Sequence, residues 1–233
     1  MKLSKGNRIL LFGVLLVVID QVIKILVKTN MELGQHIYVI GNWFQILFIE
    51  NEGMAFGMKF GGSVGKFLLS FFRIGLFAAL CWWISSLVRK SRNEDGTLAR
   101  LEDGTPVVPN GVLFGLTLIT AGAFGNIIDS LFYGLIFDYA SFMFGRVVDM
   151  FYFPIIDTTW PSWVPFVGGN DFLFFAPVFN FADSCVTLGV IGVIIFNKRF
   201  FSEIEAAQKA SKHPAKTSSE NTQNINAETV EEK

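Results

Sequence analysis

Four apolar stretches, at about 8–28, 64–88, 111–132 and 177–197, dominate the 233-residue chain. Crossing the hydrocarbon of a bilayer takes about 20 mostly apolar residues as a helix, because backbone in lipid must satisfy its own hydrogen bonds. The chain is therefore expected to be a mainly α, integral membrane protein with four transmembrane helices. Composition agrees: 26 residues are Phe and only 17% are charged, too few charges for an ordinary soluble domain. Lys2, Lys5 and Arg8 precede the first stretch, as in a secretory signal peptide. Asp20, Gln21 and Lys24 interrupt it, however, and no small-residue cleavage site follows. It reads as an uncleaved first helix.

Lys and Arg set the direction of insertion. The N-terminal arm, residues 89–110 and the segment beyond 197 together carry 13 of the 19 basic residues, which places both termini in the cytoplasm. Residues 1–200 then form a membrane-embedded domain and 201–233 a disordered cytoplasmic tail, rich in Ser, Glu, Asn and Lys with no apolar period. The 90–110 loop is polar and cytoplasmic. Opposite it, residues 35–50 alternate around Gly41-Asn42, a dipeptide suited to a hairpin turn, so a small outer-surface β-sheet is expected. Residues 133–176 hold Tyr133, Tyr139, Tyr152, Trp160 and Trp163 among many Phe. Such rings settle at the lipid–water boundary, so an outer interfacial loop or helix is expected there. Cys81 and Cys185 sit inside apolar runs without metal or redox spacing and read as buried thiols. A net charge of −1 suggests no nucleic-acid partner.

Ionisable residues inside a span are costly and functional by default. With this topology, Asp20 and Lys24, Arg73, the Gly122–Gly125–Asn126–Asp129 end of the third helix and the Asn180–Asp183–Thr187 start of the fourth all fall at one depth, toward the outer leaflet. Asn126–Asp129 and Asn180–Asp183 are each i,i+3 pairs that present an amide and a carboxylate on one helix face. Asp149, in GRVVDMF, follows the third helix with apolar residues on both sides. Read singly, Asn side chains can tie helices together and Asp20–Lys24 at i,i+4 can be a satisfied ion pair.

Two functions fit the cluster. In a carboxylate-based, proton-coupled membrane transporter the aspartates would be relays, although such sites usually lie at mid-membrane among repeats or broken helices. In an aspartate dyad, two close carboxylates share a proton, one serving as base toward water and the other as acid toward a carbonyl. The two histidines, His36 and His213, form no Ser-His arrangement or His-rich metal site. Composition and spacing leave the two readings level.

NEGMAFG (51–57), GAFGNIIDS (122–130), GRVVDM (145–150) and FNFAD (179–183), with Asp20-Gln21 and a following Lys in the first helix, resemble the ordered motifs of lipoprotein signal peptidase, or signal peptidase II, over roughly residues 8–200. The resemblance implies an intramembrane aspartyl endopeptidase of the bacterial cytoplasmic (inner) membrane. Its active site would lie near the outer leaflet, with no metal or organic cofactor. It implies Asp149 and Asp183 as the catalytic pair and Asn51, Asn126, Asp129 and Asn180 as residues that shape the pocket, with Asp20 as a support. The implied partners are prolipoproteins bearing a diacylglyceryl cysteine, and membrane lipids. Two departures stand out. The family usually has Arg after the Asp of GNxxD, where this chain has Ser130, and Arg146 is expected to supply that charge. The connection between the two catalytic aspartates is also longer than usual, suggesting a lid or a wider surface anchor.

Overall fold

The computed structural model describes residues 4–52, 62–93, 97–100, 106–154, 156–174 and 177–197. Residues 53–57 of the NEGMAFG motif and the tail 201–233 lie outside them. The chain divides into two compact units, 1–193 and 194–233. The first is the subject below; the described residues of the second, 194–197, are helix and turn.

Helix α1 (Lys5–Asn30) starts at Ser4, whose Oγ accepts the Asn7 N–H, a standard N-cap. Its buried stripe is Leu16, Asp20, Lys24 and Val27, while Leu10, Leu11, Val14, Leu15, Val18, Val22, Ile25 and Leu26 are exposed. Polar groups turn inward and apolar ones outward, the reverse of a helix on a water-soluble domain. Helix α2 (Gly62–Lys90) likewise exposes Phe71, Phe72 and Trp82. Helix α3 (Asn110–Ile128) is the central one, with Leu113 and Leu116 almost wholly buried. It continues through a π-helical segment (Asp129–Tyr133) into a last turn, α4 (Gly134–Ile136). Among the described residues three helices, Lys5–Asn30, Val64–Lys90 and Asn110–Ile136, are long and apolar enough to cross a membrane.

Helix α5 (Phe181–Phe196) packs on α3 through bare backbone. A Cβ on Gly115 would lie 2.7 Å from the Gly189 carbonyl oxygen, one on Gly189 2.6 Å from that of Gly115, and one on Gly122 2.3 Å from that of Ala182. Small residues permit this approach where lipid gives helices no hydrophobic reason to associate.

Strands β1 (His36–Ile40) and β2 (Phe44–Asn51) form the expected hairpin, turning at Gly41 with φ +51°, a conformation that suits glycine. The sheet is larger than the sequence implied. Strand β3 (Val147–Tyr152) pairs with β2, and β6 (Val178–Phe179) pairs with β3, giving the antiparallel order β1-β2-β3-β6. A second hairpin joins β4 (Ile156–Thr159) to β5 (Asp171–Phe174).

Three expectations change accordingly. The third apolar helix runs on to Ile136 through its π segment instead of ending at 132. The fourth begins at Phe181 rather than 177, because Val178 and Phe179 are taken by pairing with Tyr152 and Phe151; its described part is 16 residues long. The 133–176 connection carries the strands β3, β4 and β5, joined by turns and irregular segments, beyond its first turns. Val147, Val148, Asp149 and Met150 are all buried, and a strand covered on both faces reads as an unbroken apolar run without alternation.

Candidate active site

Five segments meet at one end of the helices: α1, the end of β2, the end of α3 with its π segment, β3, and the start of α5. Asp149 comes from β3, opposite Ile49 of β2, and Asp183 from the first turn of α5. That turn is fixed by a reciprocal cap. The Asn180 side-chain oxygen accepts the Asp183 N–H at 2.9 Å, and the Asp183 carboxylate accepts the Asn180 N–H at 3.2 Å, the logic of a capping box.

Carboxamides link the two aspartates. Asn51 and Asn180 donate to the two oxygens of Asp149, at 3.2 and 2.6 Å. Asn126 donates to Asp183 at 2.8 Å and accepts from Asn180 at 3.1 Å. Asp149 is 2% exposed and Asp183 only half-buried, so the pair is reached from the Asp183 side. Burial, with the added charge of Asp183, pushes the Asp149 carboxyl up to about 7 against the opposing hydrogen bonds from Asn51 and Asn180.

Beneath this pair lies a fully buried cation, Lys24. Its Nζ reaches Asp20 at 3.0 Å, Asp129 at 2.8 Å and the Asn126 side-chain oxygen at 2.8 Å. The two supporting aspartates then act on backbone. Asp20 accepts the Ala182 N–H at 2.9 Å, and Asp129 accepts the Val148 N–H at 3.3 Å. Ala182 and Val148 immediately precede Asp183 and Asp149, so each buried carboxylate grips the residue before one member of the pair. Gln21 donates to Asp20 and Asp129, and accepts from the Tyr133 hydroxyl at 3.1 Å. Among the described residues, no buried side-chain nitrogen or oxygen lacks a partner, as buried polar networks require.

Asn51, Asn126, Asp129, Asn180, Asp20, Asp149 and Asp183 are thus brought together. Thr187 is not; it is exposed. Arg146 is not either. Its Nη1 donates to Glu50 at 3.0 Å, its guanidinium lies over the Tyr139 ring, and Lys28 takes the other Glu50 oxygen. Despite its burial, the Glu50 carboxyl is held below its ordinary range by Lys28 and Arg146. The cation at Ser130 is Arg73 of α2, whose Nη1 donates to Ser130 Oγ at 3.0 Å. The structure thus places Arg73, not Arg146, beside Ser130, and Arg146 in the Glu50 pair.

The sequence offered signals for the members it left unassigned. Gln21 adjoins Asp20, Tyr133 lies four residues beyond Asp129, and Arg73 interrupts an apolar helix. Which partners these side chains find depends on helix packing, which spacing does not encode.

Residues 12–199 match the family profile described as Signal peptidase (SPase) II. The chain belongs to the signal peptidase II family. A lipoprotein signal peptidase of Porphyromonas gingivalis (strain ATCC 33277) is 45% identical over 216 residues, covering 86% of this chain and 87% of that one. One from Amoebophilus asiaticus is 36% identical over 195 residues, covering 80% and 75%. Two solved chains, each a bacterial membrane enzyme determined by the in meso method, share the fold. The TM-scores are 0.52 at 24% identity, covering 91% of this chain and 93% of the other, and 0.50 at 26% identity, covering 81% and 91%. As a signal peptidase II the chain is an aspartic peptidase that cleaves signal peptides from prolipoproteins, and nothing in these similarities supports a transporter.

Proposed function

We propose that Asp149 and Asp183 are the catalytic dyad of this signal peptidase II, with Asn51, Asn126 and Asn180 orienting their carboxyl groups and Asp20 and Asp129 holding their backbones. One observation carries the assignment. The two carboxyl groups that the carboxamides bracket include a buried one pushed up to about 7 by its surroundings and by the other's charge, which favours a pair sharing one proton. The ionised member takes a proton from water as its oxygen attacks the scissile carbonyl, while the protonated member gives its proton to the carbonyl oxygen. The tetrahedral intermediate then collapses: the carbonyl re-forms, the C–N bond breaks and the departing nitrogen takes up a proton.

The substrate is a prolipoprotein whose cysteine carries diacylglycerol, with its acyl chains among the helices and membrane lipids around it. In this reading α5 is the fourth membrane span of a domain covering residues 1–200. Both termini, including the tail 201–233, are cytoplasmic, and the dyad and sheet lie near the outer leaflet of the bacterial inner membrane. Trp163 and Phe166, fully or largely exposed between β4 and β5, suit an anchor at the lipid–water boundary.

The test is cleavage of a diacylglyceryl-modified prolipoprotein by purified protein. Asp149→Asn and Asp183→Asn should each lose at least about 1,000-fold in kcat, as removal of an essential catalytic group does. Full activity in either variant would remove that residue from the dyad.

A further inference from the structure

The charges around the dyad leave one role open. Lys24 is engaged by Asp20 and Asp129. The side-chain amides of Asn51, Asn180 and Asn126 and the Asn180 backbone N–H, all neutral, donate to Asp149 and Asp183. A carboxylate pair sharing one proton still bears a negative charge, and charge among membrane helices calls for a partner.

Arg73 is placed to provide it. It sits within the apolar helix α2, half-buried, and donates to Ser130 Oγ at 3.0 Å. Ser130 donates in turn to the Asn126 carbonyl at 2.9 Å, and the Asn126 side chain holds Asp183. One turn earlier on α2, Ser70 donates to the Met143 carbonyl at 3.3 Å, in the loop that leads into β3. The face of α2 that carries Arg73 is therefore tied to both segments supporting the dyad. The Arg73 charge interacts with Asp183, Asp129 and Asp149.

We propose that Arg73 is the dyad's counter-cation: a positioning residue, seated on Ser130, that holds the Asp149–Asp183 pair in its singly ionised form. This rests on the dyad assignment above. Among the described residues, charged groups facing the pair come from α1 (Lys24), α2 (Arg73) and the π segment (Asp129), so removing Arg73 leaves Lys24, already shared by two aspartates.

The experiment measures kcat and KM from pH 5 to 9 with a diacylglyceryl-modified prolipoprotein, for wild type and for Arg73→Gln, Arg73→Lys and Arg73→Ser with Ser130→Arg. Thermal unfolding of each is followed in parallel. Losing a nearby opposite charge raises a carboxyl pKa by about one unit or more, so Arg73→Gln should move the whole pH profile upward by about one unit. It should also lower kcat on the acid limb by up to about tenfold, the rate equivalent of that shift, and extend activity above pH 7, with KM little changed. Arg73→Lys, and the double variant that relocates the guanidinium, should restore most of the activity and the original profile. A profile that stays in place, or an activity loss tracking only a lower unfolding temperature and not recovered by Lys or by the relocated Arg, overturns the proposal. Full activity of Asp149→Asn or Asp183→Asn would instead refute the dyad itself, whatever the Arg73 variants do.

Discussion

Replacing Lys24 with Met should be among the most damaging single changes outside the proposed dyad. The side chain is fully buried and its Nζ lies between Asp20 at 3.0 Å, Asp129 at 2.8 Å and the Asn126 oxygen at 2.8 Å. Met fills similar volume, so lost packing is a minor part. What remains is two buried carboxylates without their shared cation. Removing one partner of a buried ion pair costs about 3–5 kcal/mol, and because a single cation serves both carboxylates the figure is counted once. Asp20 and Asp129 hold Ala182 and Val148, so any rearrangement reaches both dyad aspartates and cleavage should fall along with stability. Equilibrium unfolding in mixed detergent–SDS micelles, followed by tryptophan fluorescence, reads the first effect; cleavage of the lipidated substrate reads the second. Adding Asp129→Asn removes one uncompensated charge, so the two changes should be less than additive by about 1–3 kcal/mol, as for residues in one network. Stability of Lys24→Met within about 1 kcal/mol of wild type, against the 3–5 expected, would show that this cation does not hold the layer together.

Two further outcomes follow from the geometry. Cleavage should decline as pH rises through about 7, because Asp149 is pushed up to that value and the shared proton is lost above it; the profile belongs to the pair rather than to one residue. A rate flat from pH 6 to 9 would contradict this. Gly145→Ala should destabilise the protein by on the order of 3 kcal/mol, the upper range for overpacking, since its Cβ would lie 2.0 Å from the Asp129 carbonyl oxygen. An unchanged unfolding midpoint would show that the loop before β3 yields easily.

Much of this site could be read from the chain before any coordinates. Asp20 and Lys24 do form the ion pair that their i,i+4 spacing allowed, and the i,i+3 pairs Asn126–Asp129 and Asn180–Asp183 do converge. Convergence was legible because helical rise and alternating direction place residues by arithmetic. Strand β3 was less so: buried on both faces, it lacked alternation, and Asp149 looked like a loop residue. Resemblance, rather than spacing, separated Asp149 and Asp183 from Asp20 and Asp129. The Arg73–Ser130 contact was out of reach, because it depends on how α2 turns against α3. Arg146, nearer in sequence to Asp149, was drawn away by Glu50, whose place on β2 pairs it with Val148, two residues beyond Arg146.

The bond from the Ala182 N–H to Asp20 spans 162 positions of sequence. During synthesis Asp20 enters the membrane long before its partner has been made, and so does Lys24. An unfinished chain can bury the Asp20–Lys24 pair within a single helix, but the proposed hydrolytic centre is incomplete until the segment bearing Asn180 and Asp183 arrives. If Asp149 and Asp183 are the dyad proposed above, competence is tied to completion: a truncated product, however well inserted, carries half of it and cannot cut the proteins being made beside it.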